Sequence, residues 1–211
     1  MNEESVATIL LATAWIIYGA GHSLLASLSV KQWLFQRWPA LQPAYRLIYN
    51  AVAVIMLLPQ LALMQLYQGD IIFSWPAHWQ WLAHGLALLA LAGFIWSLKF
   101  YDMQAFLGLK QWRARYNPAQ EAEAPFVISP LHRFVRHPWY SFALIILWTR
   151  EMDIMMLTTS IIVTAYFFIG AYFEERKLVK FYGKPYQKYR QKVPGIIPLP
   201  WRYLAKERGR R

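Results

Sequence analysis

The 211-residue chain is 57% hydrophobic and 17% aromatic, only 16% charged, and carries a formal net charge of +11. A soluble domain of this length is about a quarter charged, and long apolar runs beside the basic excess argue against a nucleic-acid binder and for cytoplasmic loop charge attracted to anionic lipid. The chain has no cysteine, which excludes disulfides, cysteine-ligated metal and a cysteine nucleophile.

In chain order, the opening MNEESVATILL is acidic and does not resemble a cleaved secretory signal. A membrane span needs about 20 apolar residues. The first candidate is 6–28, interrupted by Gly19, Gly21, His22 and Ser23. The second is 47–67, with Pro59 as an expected kink. The third is 79–98, and the fourth, 136–149, is short because "TREMD" stops it early. The fifth, 154–173, runs straight into a basic tail over 174–211, read as a cytosolic helix broken near Gly183, Lys184 and Pro185. Cations alternate from loop to loop, so the positive-inside rule places the N-terminus outside and the C-terminus in the cytoplasm. The fold expected is all-α: a single polytopic helical membrane domain, in the bacterial inner membrane, with a cytosolic C-terminal helix. The polar segment Asn117–Pro125 is the flexible part of the long cytoplasmic loop, where a lid would sit.

Three polar groups stand near one membrane face on this topology. His22 lies inside an apolar span, where an ionisable residue is a functional candidate by default; alternatively it bonds a neighbouring helix and only packs. Arg136 and His137 precede Pro138, which suits the first turn of a helix. A helix N-terminus beside Arg136 makes a carboxylate-binding corner, although Arg136 and Trp139 also serve as interfacial anchors. Glu174 and Glu175 follow the last span directly, and adjacent helix residues point about 100° apart, so at most one faces a bundle pocket. An acid for an amine and a base for a carboxylate suit the amino-acid end of S-adenosylmethionine. Five scattered histidines lack metal-ligand spacing, so no metal is expected.

The C-terminal half resembles the isoprenylcysteine carboxyl methyltransferase and phospholipid methyltransferase superfamily. The resemblance rests on Arg136, His137, Pro138 and Tyr140, then Glu174 and Glu175, then Tyr186 and Tyr189, and the ending Val193, Pro194, Ile197 and Pro198. "HSLLASLSVK", "YRLIYN" and "FLGLKQW" resemble the methanethiol S-methyltransferase-like and NnrU-like branch. The resemblance implies an integral membrane methyltransferase with S-adenosylmethionine as cofactor and a membrane-soluble acceptor: a small thiol, a prenylated compound or a lipid. It implies that Arg136, His137 and Tyr140 contact the cofactor, with Glu174 or Glu175 near its amino group. His22 or His132 would accept a proton from the nucleophile. Two departures stand out. Phe142 replaces the glycine that often closes the Arg-His-Pro-x-Tyr element, and Asp102 does not align with the acidic residue of the thiol-methylating members. The alternatives are an NADPH-dependent membrane reductase of the sterol or steroid type and a non-catalytic NnrU-like membrane protein.

Overall fold

The computed structural model describes residues 2–115 and 126–205. The segment Asn117–Pro125, where the sequence suggests a lid, lies outside the described residues. Among the described residues the regular structure is helical, apart from an isolated antiparallel bridge between Phe73 and Met152. Four helices among the described residues are long and apolar enough to cross a membrane: α1 (Glu3–Ala26), α3 (Tyr45–Leu66), α4 (Ala77–Ser97) and α8 (Ile154–Tyr182). Their large apolar side chains face outward, as with Ile16 at 64% and Val54 at 63% exposure. That distribution costs nothing where the surroundings are lipid and is rare on soluble surfaces.

The remaining helices are short. α2 (Leu28–Arg37) occupies what the sequence suggests is a loop, because Ser27 ends α1 and then caps α2, its hydroxyl accepting from the Val30 N–H. α5 (Met103–Leu107) and α6 (Leu109–Arg113) meet at Gly108. α7 (Pro138–Trp148) is the expected short apolar run, and Pro138 stands in its first turn. At 1.5 Å per residue it is roughly 16 Å long, about half the hydrocarbon thickness. α8 ends at Gly183, whose φ of +62° suits glycine, and α9 (Lys184–Lys192) follows. The expected break in the tail is therefore where the stop signals put it.

The chain divides into two compact units. The first is built from residues 1–74, 101–124 and 151–163. Its apolar centre is Ala7, Leu11 and Met155, with Trp15, Leu63 and Met64 packed around it. Between its long helices neutral groups pair: Trp15 Nε1 donates to Thr159 at 3.0 Å, and Gln60 Nε2 donates to the Ala14 carbonyl at 2.8 Å. At one end the loop before α4 meets the start of α8, where Met152 N–H donates to Phe73 O at 2.9 Å and Asp153 caps the helix. At the other end Arg46 and Asn50 of α3 donate to the carbonyl of Phe106 at 3.0 and 3.2 Å.

The second unit holds residues 75–100, 125–150 and 164–211. Here α7 runs antiparallel to α4. Trp139 Nε1 donates to the buried Ser97 hydroxyl at 2.7 Å, and the Phe142 ring lies over Gly93. A Cβ at position 93 would stand 2.8 Å from that ring, so the glycine is what admits it. A second cluster, Tyr186, Tyr189 and Val193, packs α9 against Phe126, Ile128 and the end of α8.

Candidate active site

The site begins where α8 loses its apolar character. Residues 154–173 carry no charge, a length of helix that spans about 30 Å, and Glu174 and Glu175 come next. They meet the irregular stretch between a 3-10 turn at Leu131–Arg133 and the start of α7. Pro138 has no N–H to lose in the first turn and pre-sets its φ, so Arg136 and His137 are held just before a helix start.

Glu175 Oε1 accepts from three donors: Arg136 Nε at 2.8 Å, Arg136 Nη2 at 2.6 Å and His137 Nε2 at 3.1 Å. An ionised carboxylate only accepts, so Nε2 of His137 carries a proton towards Glu175. Nδ1 of the same ring is 3.5 Å from Glu174 Oε2. The two glutamates differ sharply in surroundings, since the Glu175 side chain is 11% exposed and that of Glu174 50%. Rotation by one residue along α8 explains this: Glu175 shares the face of the buried Ala171, and Glu174 is turned outward. Tyr140 stacks on His137 with centroids 5.3 Å apart, and on its other side on Phe167 at 4.5 Å.

A strap over Val193–Ile196 closes this corner from behind. The Arg136 and His137 N–H groups both donate to Gly195 O at 3.0 Å, and the Ser141 hydroxyl donates to Ile196 O. The Arg136 guanidinium also donates to the carbonyls of Arg190, at 3.0 Å, and Val193. Further along, Tyr189 Oη donates to His132 O at 2.6 Å, and Leu204 N–H to Arg133 O at 2.9 Å. Burial pushes the Tyr186 hydroxyl up to about 12, and the nearby Glu175 charge adds to it, so this ring stays neutral.

The sequence therefore names five residues, Arg136, His137, Tyr140, Glu174 and Glu175, that the fold does bring together. His132 is part-buried in the preceding turn and pairs with the Ser129 hydroxyl at 2.7 Å. Burial lowers its imidazole below the ordinary 6.5, and the charge of His137 acts in the same direction. His22 belongs to the first unit, where Nε2 is 2.7 Å from Tyr49 Oη and the ring stacks on Tyr18.

Three similar proteins bear the name methanethiol S-methyltransferase. That of a Pseudomonas species is 30% identical, covering 86% of this chain and 70% of its own length. Those of Pseudomonas deceptionensis and Crocosphaera subtropica are 28% and 25% identical, covering 86% and 94% of this chain and 69% and 78% of theirs. The chain belongs to the methanethiol S-methyltransferase family. It is accordingly a membrane methyltransferase of the isoprenylcysteine carboxyl methyltransferase-like group. No protein-family model and no solved structure matches it.

Family membership explains the three branch motifs, which the fold gathers in the first unit. His22 of "HSLL" meets Tyr49 of "YRLIYN", and Tyr45 Oη donates to Leu25 O at 2.5 Å. Arg46 and Asn50 of the same motif hold "FLGLKQW" by its carbonyls. Gly108 in that stretch has φ +92°, and a Cβ there would stand 2.8 Å from Leu47 N, so both conformation and space demand glycine. Asp102 caps α5 through Ala105 N–H at 3.0 Å and pairs with Lys110. Phe142 is taken up by the contact with Gly93. The residues that sequence reasoning missed are Tyr49, Ser141 and Gly195; the last was signalled by the Val-Pro-x-x-Ile-Pro ending, a stretch too rich in proline to continue a helix.

Proposed function

We propose that this methyltransferase moves the methyl group of S-adenosylmethionine to a small thiol at the cytoplasmic face of the bacterial inner membrane. The observation that carries this reading is the charge arrangement where the apolar stretch of α8 ends. Arg136 and Glu175 neutralise one another, so the half-exposed Glu174 beside His137 is the acidic group left for a ligand ammonium. The residues fit an amphipathic zwitterion: an acid at Glu174, the positive end of α7 for a carboxylate, and the Tyr140–Phe167 stack as an apolar wall. When bound, S-adenosylmethionine supplies an electrophilic methyl on a sulfonium. The chain's part is to orient that group, exclude water and take up the thiol proton.

His22 and His132 are the candidate proton acceptors. Each has a hydroxyl within hydrogen-bond distance, that of Tyr49 or of Ser129. A small thiol as acceptor is supported by the names of the three relatives. The cytoplasmic placement is supported by the cations at positions 176–202, a stretch without an acidic residue. Titration calorimetry of the detergent-purified protein with S-adenosylmethionine tests the cofactor, and head-space chromatography of the methylated thiol tests the acceptor. A folded sample that binds no S-adenosylmethionine ends this reading.

A further inference from the structure

We infer that Arg136 is a positioning residue: it latches the C-terminal strap Val193–Ile196 onto the start of α7 and acts on the cofactor only through Glu175 and His137. The second half of this statement rests on the proposed methyl transfer; the first half does not.

The guanidinium is engaged on all its nitrogens. Nε and Nη2 donate to Glu175, and Nη1 donates to the carbonyls of Arg190 and Val193. Its backbone N–H is bound to the strap as well, at Pro194 and Gly195. The side chain is 11% exposed, equal to that of Glu175. A ligand carboxylate that took the guanidinium would have to displace Glu175 or the strap carbonyls. Those acceptors would then be stranded with little water to replace the lost donor.

Gly195 shows how closely the strap is fitted to this pair. A Cβ there would lie 3.4 Å from Arg136 Nη2 and 3.8 Å from Glu175 Oε1. Two anchors flank it: Ile196 O accepts from Ser141, and Val193 is fully buried in the α9 cluster. The arrangement uses what arginine has and lysine lacks, a planar fork of five donors that can serve a carboxylate and two carbonyls at once. Glu175, held ionised between Arg136 and His137, sets the imidazole ring so that Nδ1 is presented towards Glu174. At metal sites, removing a carboxylate that orients a ligating histidine costs about 10- to 100-fold, which sets the scale expected here.

Limited trypsin digestion of the detergent-purified full chain, without cofactor, tests the latch at the exposed Arg190 and Lys192. Arg136→Gln and Arg136→Lys are expected to be cut there faster than the parent, while Glu174→Gln keeps the parental rate. Should Arg136→Gln fail to fold, Gly195→Ala, which crowds the pair without removing it, is expected to show the same sensitivity in milder form. In turnover, Arg136→Lys is expected to raise KM for S-adenosylmethionine about tenfold with kcat and the thiol KM changed less than about twofold, a split that a general loss of folded protein does not produce. A tail protected as in the parent in Arg136→Gln and Gly195→Ala alike overturns the latch. Loss of kcat and thiol KM together in Arg136→Lys overturns its action through Glu175 and His137. If the parent binds no S-adenosylmethionine, the digestion still decides the latch, and that failure belongs to the proposed function alone.

Discussion

The first unit joins its long helices with neutral hydrogen bonds spread along their length: Trp15 to Thr159, Gln60 to Ala14, His22 to Tyr49. The second gathers Arg136, His137, Glu174 and Glu175 around the turn of α8 that follows its uncharged stretch and ties them to a strap. Within apolar helices a charge is expensive and a neutral hydrogen bond is worth only about 0.6 kcal/mol. Past the uncharged stretch 154–173, a buried ion pair becomes tolerable if every donor is used. The chemistry is therefore read from the second pattern, and the first is read chiefly as scaffold and as the home of His22.

The largest effect that sharpens this contrast is expected at Glu175. Replacing it by alanine leaves Arg136 buried without a counter-charge, which costs about 3–5 kcal/mol. Thermal unfolding in detergent should show that loss, with methyl transfer abolished. Gln60→Leu in the first unit should cost less than about 1 kcal/mol, because it removes a neutral bond and also an Oε1 that has no hydrogen-bond partner among the described residues. Equal losses at the two positions would erase the distinction.

Next is the packing of α4 on α7. Gly93→Ala places a methyl against the Phe142 ring and is expected to cost about 1–3 kcal/mol. Phe142→Ala in the same chain should restore part of it, and a double-mutant cycle of unfolding free energies measures that coupling. Tyr49→Phe removes the hydroxyl beside His22 and should cost about 0.6 kcal/mol in stability. If His22 takes the thiol proton, that variant also shifts the pH–rate profile, and His22→Gln removes the corresponding limb.

The smallest effect is in the pH dependence of stability. The imidazole of His132 is held below its ordinary 6.5, first by burial and then by His137. The unfolded chain thus binds this proton more readily than the folded one. The contribution is fully present above pH 6.5 and is lost as pH falls through the folded value. His132→Gln should flatten this part of the acid limb in unfolding midpoints measured across that range.

Local signals made much of this legible. Uncharged runs of span length announced α1, α3, α4 and α8; Pro138 announced a helix start; Gly183 announced a stop. The short helix α2 was not legible, because its start depends on one serine hydroxyl turning back on its own chain. The role of Phe142 was not legible either. Its partner, Gly93, is 49 residues away, and only the crossing of two helices shows that a ring fits where a side chain is missing.

By itself the sequence determined a helical membrane protein with acid, base and histidine near the end of its last span, since hydropathy and charge order follow from the chain alone. The tertiary structure decided which glutamate is buried and which is half-exposed, and that Arg136 is bound to a strap. Those outcomes depend on how α8 is rotated against a loop some 40 residues away, and rotation about a helix axis is set by packing, which no local run of residues encodes.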